Sequence, residues 1–426
     1  MKKKRRRRSR GPVIAIVVFA LIVVAVIAAI SASSGGSFSA YTIFEAEHPK
    51  ESAIVSETTD AHFMDAFVSR SVPSLIWGLD NKNRLCSPVA SYTELCMIAE
   101  LTDGETRSQA LSLLDSADID TSRTRADRLF RSLYKDGSDT KCIPSASIWL
   151  DKRVNFNENP LESLAKTYHA SSFIGKAESG AYQKALASWI NKQTGGLIKN
   201  GGDGAAFDAD MYAALISTLR FENEWLLKFD SGNTSQSVFH TPEGDVTCDF
   251  MCNDTYTNVY YEFSQFRALA QSYKDGCTIW YILPNEGITP ESLLADDQLK
   301  AFLTVQKQAY ELKKGTFVLR VPKFDVTYTS DLARSLPELG VTLALDPEAA
   351  DFSPLSSNGG IYITNIKSSL RIVVDENGTK GGAAAKAELS ASDPNAGFVL
   401  DRPFMFLISS PDDLPLFVGI INDPTK

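Results

Sequence analysis

Residues 373–404, "VVDENGTKGGAAAKAELSASDPNAGFVLDRPF", have two apolar, strand-like ends joined by a long run of small or charged residues. Connections between compact elements usually run to roughly 4–6 residues. A chain with so long a tether this close to its C-terminus needs a fold that uses it. The tether also alternates. Thr379, Gly381, Ala383, Ala385, Ala387 and Leu389 form one set, uncharged and small except for Leu389, while Lys380, Gly382, Ala384, Lys386 and Glu388 hold every charge in the span. Successive side chains of a strand point to opposite faces, so this pattern suits a strand with one face in a core. "AAAKAEL" also has high helix propensity, and a flexible loop is a third option. The segment alone does not choose.

The N-terminus restricts where the chain works. Residues 2–10, "KKKRRRRSR", hold eight of the 43 basic residues, which leaves 35 against 52 acidic ones in the remainder. That acidic body argues against nucleic-acid binding, which needs a basic face for phosphates. Next come 18 residues without a charge, "VIAIVVFALIVVAVIAAI" at 13–30. As a helix they would span about 27 Å, close to a bilayer's hydrocarbon core, and the flanking cations would keep the N-terminus in the cytoplasm. A cleaved signal peptide is the alternative, with "ISASSGG" offering small residues for a peptidase. Four divisions are expected: a basic tail over 1–11, an anchor or signal segment over 12–31, a stalk over 32–51, read as flexible from "SASSGGSFSA" at 31–40, and a globular domain over 52–426. The body is then delivered outside the cell, on the outer face of the membrane or secreted.

Six cysteines, at 86, 96, 142, 248, 252 and 277, are compatible with disulfides there, although the sequence does not pair them. "CDFMC" at 248–252 has no second Cys or His pair at zinc spacing, so buried thiols or a structural disulfide are expected, and no metal or cofactor.

Helices are predicted over 58–72, over 86–101 with Ser87 and Pro88 as cap and first position, near 105–115, 123–134 and 160–169, and over 182–193 before Gly195-Gly196. Strands are predicted at 145–150, 212–221, 277–283, 316–324, 361–374, 398–409 and 415–421. Helices gather in the first half and strands in the second, which favours an α+β fold. No glycine-rich phosphate loop, paired-His motif or G-x-S-x-G elbow occurs. Catalysis has no support, and the chain is read as a non-enzyme.

Several segments, in order, resemble the serpin family. "SPVASYTELCMIAELTDGETRSQAL" is similar to the family's Ser-Pro helix and the turn after it; "LASWINKQTGGLIKN" and "LISTLRFENEWLLKFD" resemble its next two signatures. "VPKFDVTYTSDLARSLPELGVTLALDPEAADFSPLS", "VVDENGT" and "DRPFMFLISSPDDLPLFVGIINDP" resemble its later strands, reactive-loop hinge and C-terminal strand pair. The resemblance implies a serpin fold of about nine helices around three β-sheets, with an exposed reactive loop at about 376–397. It implies a monomer that is a suicide substrate for extracellular serine proteases, with cysteine proteases as a second class, held as a covalent acyl complex once the cut loop inserts into the main sheet. The alternative is a non-inhibitory member that acts as a binding protein or sacrificial substrate.

Family spacing puts the loop hinge at Glu376, Gly378, Thr379, Gly381, Ala383 and Ala385, and the scissile bond at Ser392–Asp393, with Ala391–Ser392 and Leu389–Ser390 as competitors. A small residue there suits elastase-like or subtilisin-like enzymes and argues against trypsin-like ones. Trp225 matches the Trp that packs where the loop enters the sheet. Ser217, Ala90 and Ser368 stand where the family has Asn, Ser and His, so the polar latch beneath the opening strands is expected to be thin.

Overall fold

A computed structural model describes residues 40–47, 61–199, 207, 211–379 and 396–426. The basic tail and apolar segment lie outside these, as do Gly381, Ala383, Ala385, Ser392 and Asp393. No helix among the described residues is long and apolar enough to cross a membrane.

Nine α-helices occur among the described residues: α1 (Asp65–Ile76), α2 (Pro88–Leu101), α3 (Gly104–Leu113), α4 (Ile119–Leu133), α5 (Glu158–Thr167), α6 (Gly180–Gln193), α7 (Pro290–Leu293), α8 (Asp297–Phe302) and α9 (Leu332–Ser335). Their ends follow local chemistry. The Ser87 hydroxyl accepts from the Ala90 amide and Pro88 opens α2, while the Ser179 hydroxyl caps α6. Past the end of α6, Gly195 and Gly196 take positive φ of 63° and 85°. Helix α2 is buried on nearly every side, as its apolar sequence requires, because it packs on strands from two sheets.

The strands are β1 (Tyr41–Phe44), β2 (Arg84–Cys86), β3 (Lys135–Asp136), β4 (Lys141–Asp151), β5 (Ala170–Gly175), β6 (Ala213–Glu224), β7 (Ser235–Thr241), β8 (Gly244–Glu262), β9 (Phe266–Ser272) and β10 (Thr278–Pro284). There follow β11 (Lys313–Pro322), β12 (Phe324–Asp331), β13 (Ile363–Val374), β14 (Gly378–Thr379), β15 (Ala396–Val399), β16 (Phe404–Ser409) and β17 (Pro415–Ile421). One sheet of eight strands runs β1-β5-β4-β6-β13-β12, with β14 on β6 and β3 on β4. The other, of nine, runs β15-β11-β8-β9-β10-β16-β17-β2, with β7 on β8. The expected second and third sheets are joined here, because the 19-residue β8 pairs with β7, β11 and β9 in turn.

The main core lies between the two sheets, and a smaller one lies under α6 on the outer face of the eight-stranded sheet. Strand β6 serves both: Ala213, Leu215, Leu219 and Phe221 enter the main core, and Ala214 and Ile216 enter the smaller one.

Three sequence expectations change. The segment 316–324 is two strands in different sheets, broken at Lys323, and 398–409 is likewise split between β15 and β16. The stalk is not free throughout, because Tyr41–Phe44 pairs antiparallel with β5 and extends the eight-stranded sheet at its edge. Beyond that strand the Glu47 amide donates to the Ala165 carbonyl, and Ala46 donates to the Ser171 hydroxyl. All six cysteines are free thiols. Cys248 and Cys252 lie on one strand, about 13 Å apart at ~3.4 Å per residue, which rules out a clip or a bond between them.

Candidate functional site

The site grows from an unfinished pairing. Strands β6 and β13 run parallel and pair from Ile363↔Ala213 as far as Ser368↔Ser217. Above that point β6 still pairs with β4 as far as Glu222, and β13 still pairs with β12 as far as Val374. Their facing edges therefore leave backbone donors and acceptors without a strand partner between them among the described residues, a template for one more strand.

The mouth of this gap already holds the start of one. After Val374 the chain reverses through Asp375–Gly378, with the Asp375 amide donating to the Gly378 carbonyl at 3.1 Å and the Gly378 amide donating back at 3.3 Å. Strand β14 then pairs antiparallel with β6, Gly378 opposite Glu224 and Thr379 opposite Asn223. Gly378 has φ +148°, and a Cβ there would stand 2.1 Å from the Asn223 carbonyl oxygen, so only glycine fits.

Trp225 holds this turn. Its ring is fully buried and stacked on Tyr273 at 4.4 Å. The indole N–H donates to the Asp375 carbonyl at 2.8 Å, and the Trp225 amide donates to the Asn377 carbonyl at 2.9 Å. Thr379 is 2% exposed, with its hydroxyl 2.7 Å from that of Tyr273. Burial pushes the Tyr273 phenol well above its ordinary range, so it stays a neutral hydroxyl.

Glu376 faces the body. Lys323 approaches its carboxylate at 3.1 Å and the Thr234 hydroxyl donates to it at 2.8 Å. Partial burial works to raise this carboxyl, but hydrogen bonds from its own backbone, Thr234 and Lys323 outweigh that and hold it below the usual carboxylate range.

Glu376, Gly378, Thr379 and Trp225 thus lie close together around the turn that follows β13. Gly381, Ala383, Ala385, Ser392 and Asp393 lie outside the described residues. The chain is described again at Ala396, where β15 joins the edge of the nine-stranded sheet beside β11, so 380–395 link the mouth of one sheet to the edge of the other.

The thin latch needs correction. Where the strands part, the Ser217 and Ser368 hydroxyls lie 2.8 Å apart, and both reach Glu94 Oε1, at 2.7 and 3.1 Å. Glu94 rises from α2 and is 1% exposed. Burial pushes its carboxyl up to about 8, against the pull of the two serines, and Asp331 adds to the rise. Sequence reasoning saw the shortened residues but not the carboxyl that fills in behind them. The available signal was a lone Glu inside the apolar run "PVASYTELCMIA". Tyr273, Thr234 and Lys323 gave no such signal.

Comparison with known proteins agrees with this geometry. The chain is 26% identical over 368 residues to alpha-1-antiproteinase S of Cavia porcellus, covering 82% of this chain and 86% of that protein. It is 26% identical over 369 residues to serpin-ZX of Arabidopsis thaliana, covering 81% and 93%. Among solved structures, the thermophilic serpin tengpin in its native state superposes with a TM-score of 0.75 at 25% identity, over 90% of this chain and all of that one. Thyroxine-binding globulin in complex with thyroxine shares the fold at TM-score 0.75 and 22% identity, over 85% of this chain and all of that one. The family model "Serpin (serine protease inhibitor)" matches residues 66–424, and with its hinge seated in an open sheet this chain belongs to the serpin family.

Proposed function

We propose that this serpin is an inhibitory one: a suicide substrate for extracellular elastase-like or subtilisin-like serine proteases, cut at Ser392–Asp393. The protease's own nucleophile opens the bond and becomes acylated at the Ser392 carbonyl, while the new amine at Asp393 leaves. The freed strand then inserts and carries the enzyme with it, as strand addition does in this family.

The observation that carries the reading is the register of β14. If it continued along β6 on insertion, it would set Gly381 against Phe221, Ala383 against Leu219 and Ala385 against Ser217. If it continued from the Asp375↔Gly378 bridge along β13, it would set the same three against Ile372, Leu370 and Ser368. These neighbours are buried. Small residues fall where large ones already fill the core from both sides, and Gly382 falls between Arg220 and Arg371. The two registers are independent and meet on Ala385, between the serines that now face each other. A strand of twelve residues paired on both sides forms on the order of twenty hydrogen bonds, each worth roughly 1 kcal/mol net. Half of that rivals the roughly 5–15 kcal/mol that holds a domain together, so insertion has enough driving force to distort an attached enzyme.

One feature favours the alternative of a sacrificial substrate. The same register sets Lys386 opposite Lys367, and like charges directly opposite oppose pairing. The experiment is incubation with an elastase-like protease, followed by boiling in detergent and intact-mass analysis. A stable adduct with cleavage at Ser392–Asp393 supports inhibition; full hydrolysis without an adduct supports the substrate reading. Cleavage outside 389–393 refutes the family-spacing assignment of the scissile bond. Display on the outer membrane face through residues 12–31 is part of the proposal, and cell fractionation with sequencing of the mature N-terminus tests it.

A further inference from the structure

The carboxyl of Glu94 sits at the one level of the eight-stranded sheet where opening must begin. Ser217 and Ser368 are the last residues that pair across β6 and β13, and both hydroxyls reach Glu94 Oε1. Glu94 Oε2 is buried with no hydrogen-bond partner among the described residues. A strand placed between β6 and β13 doubles their separation from about 4.8 Å to roughly 9.6 Å. The Ser217–Ser368 contact then breaks, and Glu94 keeps at most one of its two donors. The residue that the extended register would deliver between the serines is Ala385, which has no side-chain donor to offer in exchange.

The two protonation states of Glu94 feel this loss differently. A carboxylate needs both hydroxyls, since a buried anion stripped of a donor is left uncompensated. A neutral carboxyl loses much less. From β6 and β13 the hydroxyls of Ser217 and Ser368 donate to Glu94; the charged group acting on it is Asp331 at the cap of α9, whose own ionised form Lys367 of β13 and Arg334 of α9 favour. Its carboxyl titrates at about 8, within reach of physiological pH.

We propose that Glu94 is a proton-gated latch on the eight-stranded sheet: ionised, it clamps β6 to β13 through Ser217 and Ser368, and protonated, it lets them part. The proposal rests on the insertion reading given above. Because the inserted form has fewer donors, Glu94 binds its proton more tightly there than in the native form. By linkage, insertion above the native pKa takes up a proton and slows as pH rises, at most about tenfold per pH unit.

The test uses the full chain and a synthetic peptide of residues 379–391, acetylated and amidated, offered to the gap without any protease. Its incorporation rate is read by native mass spectrometry from pH 6.5 to 9.5. The wild-type rate is expected to fall about tenfold between pH 8 and 9.5, and that of Glu94→Gln, which keeps the shape without the charge, to stay within about twofold. Ser368→Ala removes one donor, so it should incorporate faster and shift the fall to higher pH. The latch is overturned by a flat wild-type profile, by the same fall in Glu94→Gln, or by a Ser368→Ala profile identical to wild type. If no variant takes up peptide at any pH, the insertion reading itself fails and the latch with it; a flat profile with full uptake removes the latch alone.

Discussion

On the proposed inhibitory reading, replacing Thr379 by Arg should turn this protein into a mere substrate while leaving it folded. Thr379 is 2% exposed, and its hydroxyl meets that of Tyr273 at 2.7 Å. Before cleavage an arginine there can draw the short β14 out of the mouth of the sheet. That loses the Tyr273 contact and two ladder positions, about 2 kcal/mol in all. After cleavage there is no such escape, since position 379 is the first core-facing site of the inserting strand. An unpaired guanidinium taken into the interior costs several kcal/mol even after relaxation. Taking about 4 kcal/mol, insertion slows by roughly a thousandfold, far longer than an acyl-enzyme needs to hydrolyse. The assay titrates wild type, Thr379→Ser and Thr379→Arg against an elastase-like protease and counts boiled adduct against cleaved chain. Wild type and Thr379→Ser should give adduct; Thr379→Arg should be fully cleaved, with its uncut melting temperature lower by ~5 °C or less. Adduct from Thr379→Arg at the wild-type ratio would refute the argument that this face must be core-compatible.

Three further outcomes follow from the same geometry. Gly378→Val puts a Cβ against the Asn223 carbonyl oxygen at positive φ and should destabilise the native form by at least ~2 kcal/mol, read by urea unfolding. Glu376→Gln removes a carboxylate held below its usual range by Thr234 and Lys323 despite partial burial. The contribution of that carboxylate, about 1 kcal/mol, is complete above the unfolded pKa and disappears as pH falls through the lower folded one; wild type and variant should therefore differ in stability at pH 7 and converge in acid. Removing residues 1–47 strips β1 from β5 together with the backbone bond from Glu47 to Ala165, and should lower the melting temperature by several degrees, checked by calorimetry.

Local chemistry settles much of the fold before any tertiary contact is considered. Ser87-Pro88 opens α2 and Gly195-Gly196 ends α6 because caps and positive φ are properties of the residues themselves. The alternation from Thr379 to Leu389 is similarly visible, since a two-residue period needs no partner to be read. Where one apolar run serves two sheets, as at 316–324, periodicity carries no mark of the break at Lys323. Strand β8 was hidden for the opposite reason: it is rich in Asp, Asn and Thr, its Asp and Thr are exposed, and only the pairing with β7 and β11 makes it a strand.

The sequence by itself determined that this chain carries a long tether whose alternate residues are uncharged, and that Glu376, Gly378, Thr379 and Trp225 stand at family spacing. Only the tertiary structure decided that the tether's first two residues already pair with β6, that Tyr273 meets Thr379 there while Lys323 pairs with Glu376 beside it, and that Glu94 lies beneath the parting strands. Periodicity and capping act within a few residues along the chain. A buried hydrogen bond between Glu94 and Ser368, by contrast, joins residues 274 positions apart, and exists only once two sheets and a helix have excluded water from the space between them.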